Sequence, residues 1–147
     1  MYRAALLITL IALSMLPASA LAERAPESGH SAYHGALRAF EAGNYADAAA
    51  LLERLLDSDG SCARCAHLLG KTYGRMAEEA GWTQAMRLAQ KTRSALEQAV
   101  ELAPDDVDAI SDLIRYYRAA PGFLGGSSEK AERLELRLEE LLTAHAG

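Results

Sequence analysis

The sequence is poor in the residues that build β-sheets. Beyond the first 22 residues, its only β-branched aliphatic residues are Val100, Val107, Ile110 and Ile114, and aromatic residues make up 6% of the chain. Sheets are enriched in both kinds of residue, whereas the Ala, Leu, Glu and Arg that dominate here favour helices. The composition therefore predicts an all-α fold.

The chain also lacks an excess of positive charge. Its formal net charge is −5, and a protein whose main partner is nucleic acid would be strongly basic. Half of the residues are hydrophobic and 24% are charged, which excludes a disordered, a collagen-like or a multi-span membrane protein. With 147 residues, the chain is long enough for one ordinary domain. We expect one helical domain with no nucleic-acid partner.

The first 22 residues have the pattern of a secretory signal peptide. Arg3 precedes an apolar run of 13 residues at 4–16, and small residues follow at Ala20 and Ala22. A membrane-spanning helix needs about 17–25 apolar residues, so a permanent anchor is the weaker interpretation. We expect cleavage after Ala22, or else after Ala20, and a mature protein that is periplasmic or secreted, without a stable membrane anchor, in an oxidising compartment.

The rest of the chain has the apolar spacing of helices. We expect residues 23–30 to form a short flexible segment and 31–147 to form the helical domain. Apolar residues recur three and four positions apart in six stretches, which are separated by Gly, Asn, Pro or Ser. The stretches run from about 31 to 42, 45 to 58, 61 to 80, 82 to 103, 107 to 117 and 128 to 142.

Three short motifs resemble the tetratricopeptide repeat (TPR) family. They are Leu69-Gly70 followed by Tyr73, Gly43-Asn44-Tyr45 followed by Ala48, and 99–102 followed by Pro104. The resemblance covers residues 31 to about 142, with about ten extra residues near 74–84 in the second repeat and about five in the third. It implies three antiparallel helical hairpins stacked as a short TPR-like α-solenoid. It also implies a scaffold or adaptor that binds a protein partner.

In this family, the first helix of each hairpin lines a concave groove, and the resemblance implies the same here. On the first, third and fifth helices, the residues that would face a partner are Tyr33, Leu37, Phe40, Arg64, His67, Lys71, Arg75, Arg115 and Arg118. An aromatic end and a basic middle would suit an acidic, partly apolar peptide. Core packing is the alternative for the first three, and an ordinary solvated helix face is the alternative for the basic stripe.

Cys62 and Cys65 allow several interpretations. A thioredoxin-like redox site needs a strand before the pair, and no strand-forming segment precedes it. Covalent haem attachment needs a His directly after the second Cys, but Ala66 stands there and His67 comes one residue late. A zinc site would need further ligands. We expect a short-range disulfide or two buried thiols. A thiol-dependent accessory factor in envelope redox or cytochrome maturation stays the alternative function.

No pattern in the sequence indicates catalysis, a cofactor or a metal centre. A Ser-His-Asp order, a glycine-rich phosphate loop and a nucleophile elbow are all lacking, so we do not expect an enzyme. His30 and His34 are four residues apart and could share a helix face as a metal pair. We interpret them instead as two solvent-exposed histidines at a fraying helix start.

The connection at 121–126 holds two large apolar residues between glycines, Phe123 and Leu124. Such residues are usually buried, so we expect both to fold back over the last hairpin. An exposed contact for a ligand or a membrane surface is the alternative.

Overall fold

A computed structural model describes residues 29–146 of the chain. The predicted signal peptide and residues 23–28 lie outside the described residues. The described part holds α-helices and one short 3₁₀ turn, without a strand, which confirms the prediction of an all-α protein. In chain order, the helices are α1 (Gly29–Glu41), α2 (Tyr45–Ser58), α3 (Ala63–Glu79), α4 (Trp82–Leu102), α5 (Val107–Ala119) and α6 (Ser128–Ala146), and the 3₁₀ turn is Gly122–Leu124.

The helix ends follow from local chemistry. Gly43 has a φ of 78°, a left-handed conformation that glycine adopts without strain, and it reverses the chain between α1 and α2. At the start of α5, the Asp106 carboxylate accepts hydrogen bonds at 3.0 Å from the backbone N–H groups of Asp108 and Ala109. The Ser127 hydroxyl accepts the N–H three residues further on at 3.2 Å. These caps satisfy donors that the helices leave free.

The start of α1 and the end of α6 differ from the positions that the sequence predicts. α1 begins at Gly29, so Gly29 and His30 belong to a helix instead of the flexible segment expected at 23–30. His30 contacts His34 one turn later, which extends the helix by half a turn. α6 continues to Ala146, beyond the end expected near Leu142, because no glycine or proline interrupts it there.

Each helix packs mainly against its neighbours in sequence, and α1 also contacts α3. The contacts are close because small residues lie in them. Every helix has an alanine with an exposed fraction of at most 1%, and the distance between helix axes depends on the side chains at the contact. These alanines are Ala36, Ala48, Ala66, Ala99, Ala109 and Ala131.

The pair formed by α3 and α4 is longer than its neighbours. α3 has 17 residues and α4 has 21, against 13 in α5. The extra residues noted near 74–84 form the last turns of α3 and the first turn of α4. Trp82 begins α4 and is 73% exposed. The 3₁₀ turn packs against α4 further along the helix, beside Arg93, so the end that holds Trp82 extends past this turn.

Two glycines of α3 have opposite surroundings, which predicts opposite effects of adding one methyl group. A Cβ on Gly70 would lie 2.7 Å from Leu96 Cδ2 and 2.8 Å from its Cγ, whereas a Cβ on Gly74 would lie 3.9 Å from the nearest atom of Thr92. Overpacking costs about 1–3 kcal/mol, and replacing a helical glycine by alanine gains about 1 kcal/mol. We expect Gly70→Ala to lower the free energy of unfolding by up to about 2 kcal/mol.

The matched control is Gly74→Ala, which should raise the free energy of unfolding by up to about 1 kcal/mol. Urea titration followed by far-ultraviolet circular dichroism measures both values. Equal stabilisation by the two substitutions would show that α3 and α4 do not need the close approach at Gly70.

Candidate functional site

A groove of about 290 Å³ lies between α1, α3 and α5, with α4 at its floor. Phe40 comes from the end of α1. Gly74 of α3 also lines the groove, where it faces Thr92 of α4. The walls are partly apolar and carry charges of both signs. Their other main residues are Lys71, Arg75, Glu78, Leu96, Asp112, Arg115 and Tyr116.

The basic residues of α3 lie beside aromatic rings of the first two helices. The Arg64 guanidinium carbon is 4.7 Å from the centroid of the Tyr33 ring, and Lys71 Nζ is 5.9 Å from the centroid of the Phe40 ring. Such cation–π contacts contribute about 0.5–1 kcal/mol at exposed sites. Within residues 29–146, no ion pair with a carboxylate holds Arg64 or Lys71. Lys71 is therefore a cation free to meet an incoming anion.

Arg75 is held more firmly than Lys71. Its Nη1 donates to Glu78 Oε2 at 2.6 Å, and its Nε donates to the Tyr45 hydroxyl at 3.2 Å. Its guanidinium also lies 5.7 Å from the centroid of the Tyr45 ring. Arg75 lines the groove, but Glu78 already neutralises part of its charge.

A carboxylate that the sequence analysis did not place in the groove lies on its α5 wall. Asp112 Oδ2 is 2.8 Å from His67 Nε2, and Asp112 Oδ1 is 3.1 Å from Arg115 Nη1. Asp112 and His67 are both mostly buried. His67 therefore spans α3 and α5 instead of facing a partner freely, and the groove is less basic than the stripe alone predicts.

Arg118, expected to face a partner, does not line this groove. Its Nε and Nη2 donate to the two carboxylate oxygens of Glu135 on α6, at 3.1 and 2.7 Å. Three residues rotate a helix by about 300°, since one turn takes 3.6 residues. Arg118 is therefore about 60° away from Arg115 around α5, on the side that faces α6.

The three apolar candidates on α1 have mixed surroundings. Tyr33, Leu37 and Phe40 are half-buried and pack against the main core cluster. Of the three, Phe40 also lines the groove. Core packing, the alternative considered for these residues, thus applies to all of them, and Phe40 remains available to a ligand as well.

The two cysteines form a disulfide at the start of α3. Cys62 is the residue before the helix and Cys65 is buried, with the two Cα atoms 5.3 Å apart. The segment described before them is α1 and α2, with no strand. The bond therefore closes the first turn of a helix that follows another helix.

The two apolar residues of the loop after α5 differ in burial. Leu124 is buried and its carbonyl accepts a hydrogen bond from the Tyr116 hydroxyl at 2.9 Å. Phe123 is 67% exposed, so the expectation that it folds back over the last hairpin is wrong. In a tight 3₁₀ turn, adjacent side chains point about 120° apart, and only one of them can face the core.

A polar network that the sequence analysis missed joins α2, α3 and α4. The Tyr73 hydroxyl donates a hydrogen bond to the Glu53 carboxylate. Lys91 Nζ is 3.3 Å from Glu53 Oε1 and 4.8 Å from the centroid of the Tyr73 ring. The hydrogen bond from Tyr73 lowers the pKa of Glu53, and burial together with the nearby Glu53 raises the pKa of Tyr73.

The same network recurs one unit further along the chain. The Tyr117 hydroxyl donates to Glu97 Oε1 at 2.6 Å, and Lys130 Nζ is 5.2 Å from the centroid of the Tyr117 ring. The offset is 44 residues, both from Glu53 to Glu97 and from Tyr73 to Tyr117. A search for Glu and Tyr pairs with a separation of 20 residues would have found both networks in the sequence.

The loop yields a prediction in which neighbouring residues behave differently. Leu124→Ala should lower the free energy of unfolding by about 2–5 kcal/mol, the range for a buried leucine. Phe123→Ala should change it by less than about 0.5 kcal/mol, since surface substitutions rarely do more. Thermal and urea unfolding of the two variants checks this. A large loss with Phe123→Ala would show that its ring is covered in solution.

The network of Glu53 predicts a dependence of stability on pH. Because the pKa of Glu53 is lower in the folded chain, its contribution to stability is fully present above the unfolded value of about 4.3 and is lost as pH falls through the folded value. We expect the unfolding free energy to fall less steeply between about pH 5 and pH 3 in Tyr73→Phe than in the parent.

Urea titrations at several pH values measure this slope. Glu53→Gln is the control, because it removes the titrating group and should flatten the same interval. A double variant that is flatter than Glu53→Gln would mean that Tyr73 acts through another carboxylate.

Two common marks of function are not found in the part of the chain that the structure describes. Within residues 29–146, no group of three or more His, Cys, Asp or Glu side chains is placed to hold a metal ion. No helix there combines the length and the apolar character needed to cross a membrane.

Comparison with models of known protein families gave no match, and a search of curated proteins gave no similar sequence.

Proposed function

We propose that this protein is an exported interaction module that binds an acidic, partly apolar peptide segment of a partner protein in the groove between α1, α3 and α5. The observation that carries the proposal is the position of Lys71. Its ammonium group lines a partly apolar groove beside the Phe40 ring and has no carboxylate partner among residues 29–146. The proposal includes the signal peptide at 1–22 and a periplasmic or secreted location.

The proposed architecture is three antiparallel helical hairpins stacked as a short TPR-like α-solenoid. Three observations support it. Short connections join α1 to α2 and α3 to α4, contacts run between successive helices, and one tyrosine network recurs after 44 residues. In such a stack, the first helix of each hairpin contributes to one continuous surface. The groove has this composition, since its walls come from α1, α3 and α5.

The charges in the groove favour one orientation of the peptide. A carboxylate would be attracted to Lys71 on the α3 side. It would be repelled by Glu78, which is paired with Arg75, and by Asp112 on the α5 side. An apolar side chain next to it would contact the Phe40 and Tyr116 rings. We therefore expect the peptide to place an Asp or Glu beside Lys71, followed by an aromatic or aliphatic residue.

Selection from a random peptide library tests the proposal directly, whichever protein the partner is. Peptides retained by the chain should be enriched in an acidic residue next to an apolar one. Their affinity should fall as salt rises from about 0.05 to 0.5 M, because screening shortens the reach of exposed charges. Arg64→Glu with Lys71→Glu should weaken binding by about 1–3 kcal/mol, the range for charge-assisted contacts.

Arg54→Glu is the matched control, because Arg54 is exposed on α2, outside the groove. It makes the same change of charge as Lys71→Glu alone and should leave the affinity unchanged, whereas Lys71→Glu alone should weaken binding. Circular dichroism confirms that each variant is folded.

Cys62→Ala with Cys65→Ala should also retain peptide binding. Loss of peptide binding in this variant would favour the thiol-dependent function instead. Unchanged affinity in the doubly reversed variant would show that the basic stripe is only a solvated face.

A further inference from the structure

The two histidines at the start of α1 face each other. Their Nε2 atoms are 3.1 Å apart, and the ring centroids are 4.5 Å apart with an interplanar angle of 78°. Both residues are exposed. Residues four apart are neighbours on a helix surface, so the helix itself holds the two rings in this arrangement. They lie at the other end of α1 from Phe40 and the groove.

We infer that His30 and His34 form a binding site for a divalent transition-metal ion, with both Nε2 atoms as ligands. An imidazole nitrogen binds zinc at about 2.0–2.1 Å. Two such nitrogens that are 3.1 Å apart subtend an angle of about 98° at the metal. This angle lies between the square-planar and the tetrahedral values, so the spacing of the two nitrogens suits one ion that replaces the hydrogen bond between them.

The chemistry of the pair determines which ions it takes. Imidazole suits copper, nickel and zinc, and the affinity of a given nitrogen site rises from nickel to copper and is lower for zinc. Two protein ligands leave at least two positions for water or for a donor from another molecule. No third side chain completes the site within residues 29–146. Residues 29–146 thus supply two ligands, and we expect an ion held by two imidazoles to be exchangeable.

Binding should also stabilise the first turn of α1. The ion would link residues on successive turns, and a ligand that binds only the folded state raises the free energy of unfolding by mass action. Because the backbone N–H groups of a first helical turn lack intrahelical partners, this turn has few contacts of its own. A metal bound here therefore gives a rise in melting temperature as a readout separate from the heat of binding.

Titration calorimetry of the untagged chain with copper, nickel or zinc chloride tests the site. We expect one ion per chain with affinities in the order copper, nickel, then zinc, and a melting temperature that rises with nickel concentration. His34→Ala should weaken nickel binding at least tenfold. His67→Ala removes a different histidine, the one paired with Asp112, and should retain the affinity of the parent.

A second variant keeps the number of histidines and changes only their geometry. His34→Ala with Gly35→His moves the second ring about 100° around the helix, and there is space for it, since the nearest atom to a Cβ at Gly35 is 4.0 Å away. This variant should bind nickel as weakly as His34→Ala. Nickel affinity equal to that of the parent in either variant would overturn the proposal and place the ion elsewhere.

Discussion

Close approach of the helices through small residues is the constraint on which the structure depends. Each helix has a fully or almost fully buried alanine, and Gly70 lies directly against Leu96. Where such residues meet, two helices come nearer than large side chains would permit. The groove follows from this packing, because α4 can form its floor only if α3 lies tight against it. Gly74 of α3 lines the same groove.

The electrostatics of the groove depend on α1 as much as on the basic residues themselves. Lys71 lies on the Phe40 ring of α1, and Arg75 lies on the ring of Tyr45 at the start of α2. Arg64 lies on the Tyr33 ring of α1, outside the residues that line the groove. These rings hold the cations without neutralising them, although Glu78 pairs with Arg75. Asp112, by contrast, forms a hydrogen bond with His67 and an ion pair with Arg115. Lys71 on the α3 wall is thus left as free positive charge, and the charges of the α5 wall compensate each other. The pair of α1 and α2, the first two helices of the described part, therefore contributes to the proposed site.

The sequence predicts those features that depend on neighbours along the chain. Gly43 and Pro104 end helices for local reasons, so six helices could be placed to within a few residues. The position of Lys71 and Arg75 on one face of α3 follows from helical spacing alone. Pairs such as Asp112 with His67, or Arg118 with Glu135, depend on how α5 is rotated against its neighbours. Phe123 and Leu124 differ because of the orientation of one short turn, and composition carries no information on that orientation.

The end of the α3 and α4 pair that holds Trp82 has a practical consequence for studies of this protein. Trp82 lies there, mostly exposed, and it is the only tryptophan of the chain. An indole already in water changes its environment little when the domain unfolds, so intrinsic tryptophan fluorescence would be nearly silent on the loss of the core. The same indole would respond to anything that covers this tip. It is therefore a local probe for contacts at this end of α3 and α4. Folding is better followed by tyrosine fluorescence, since Tyr73 and Tyr117 are buried.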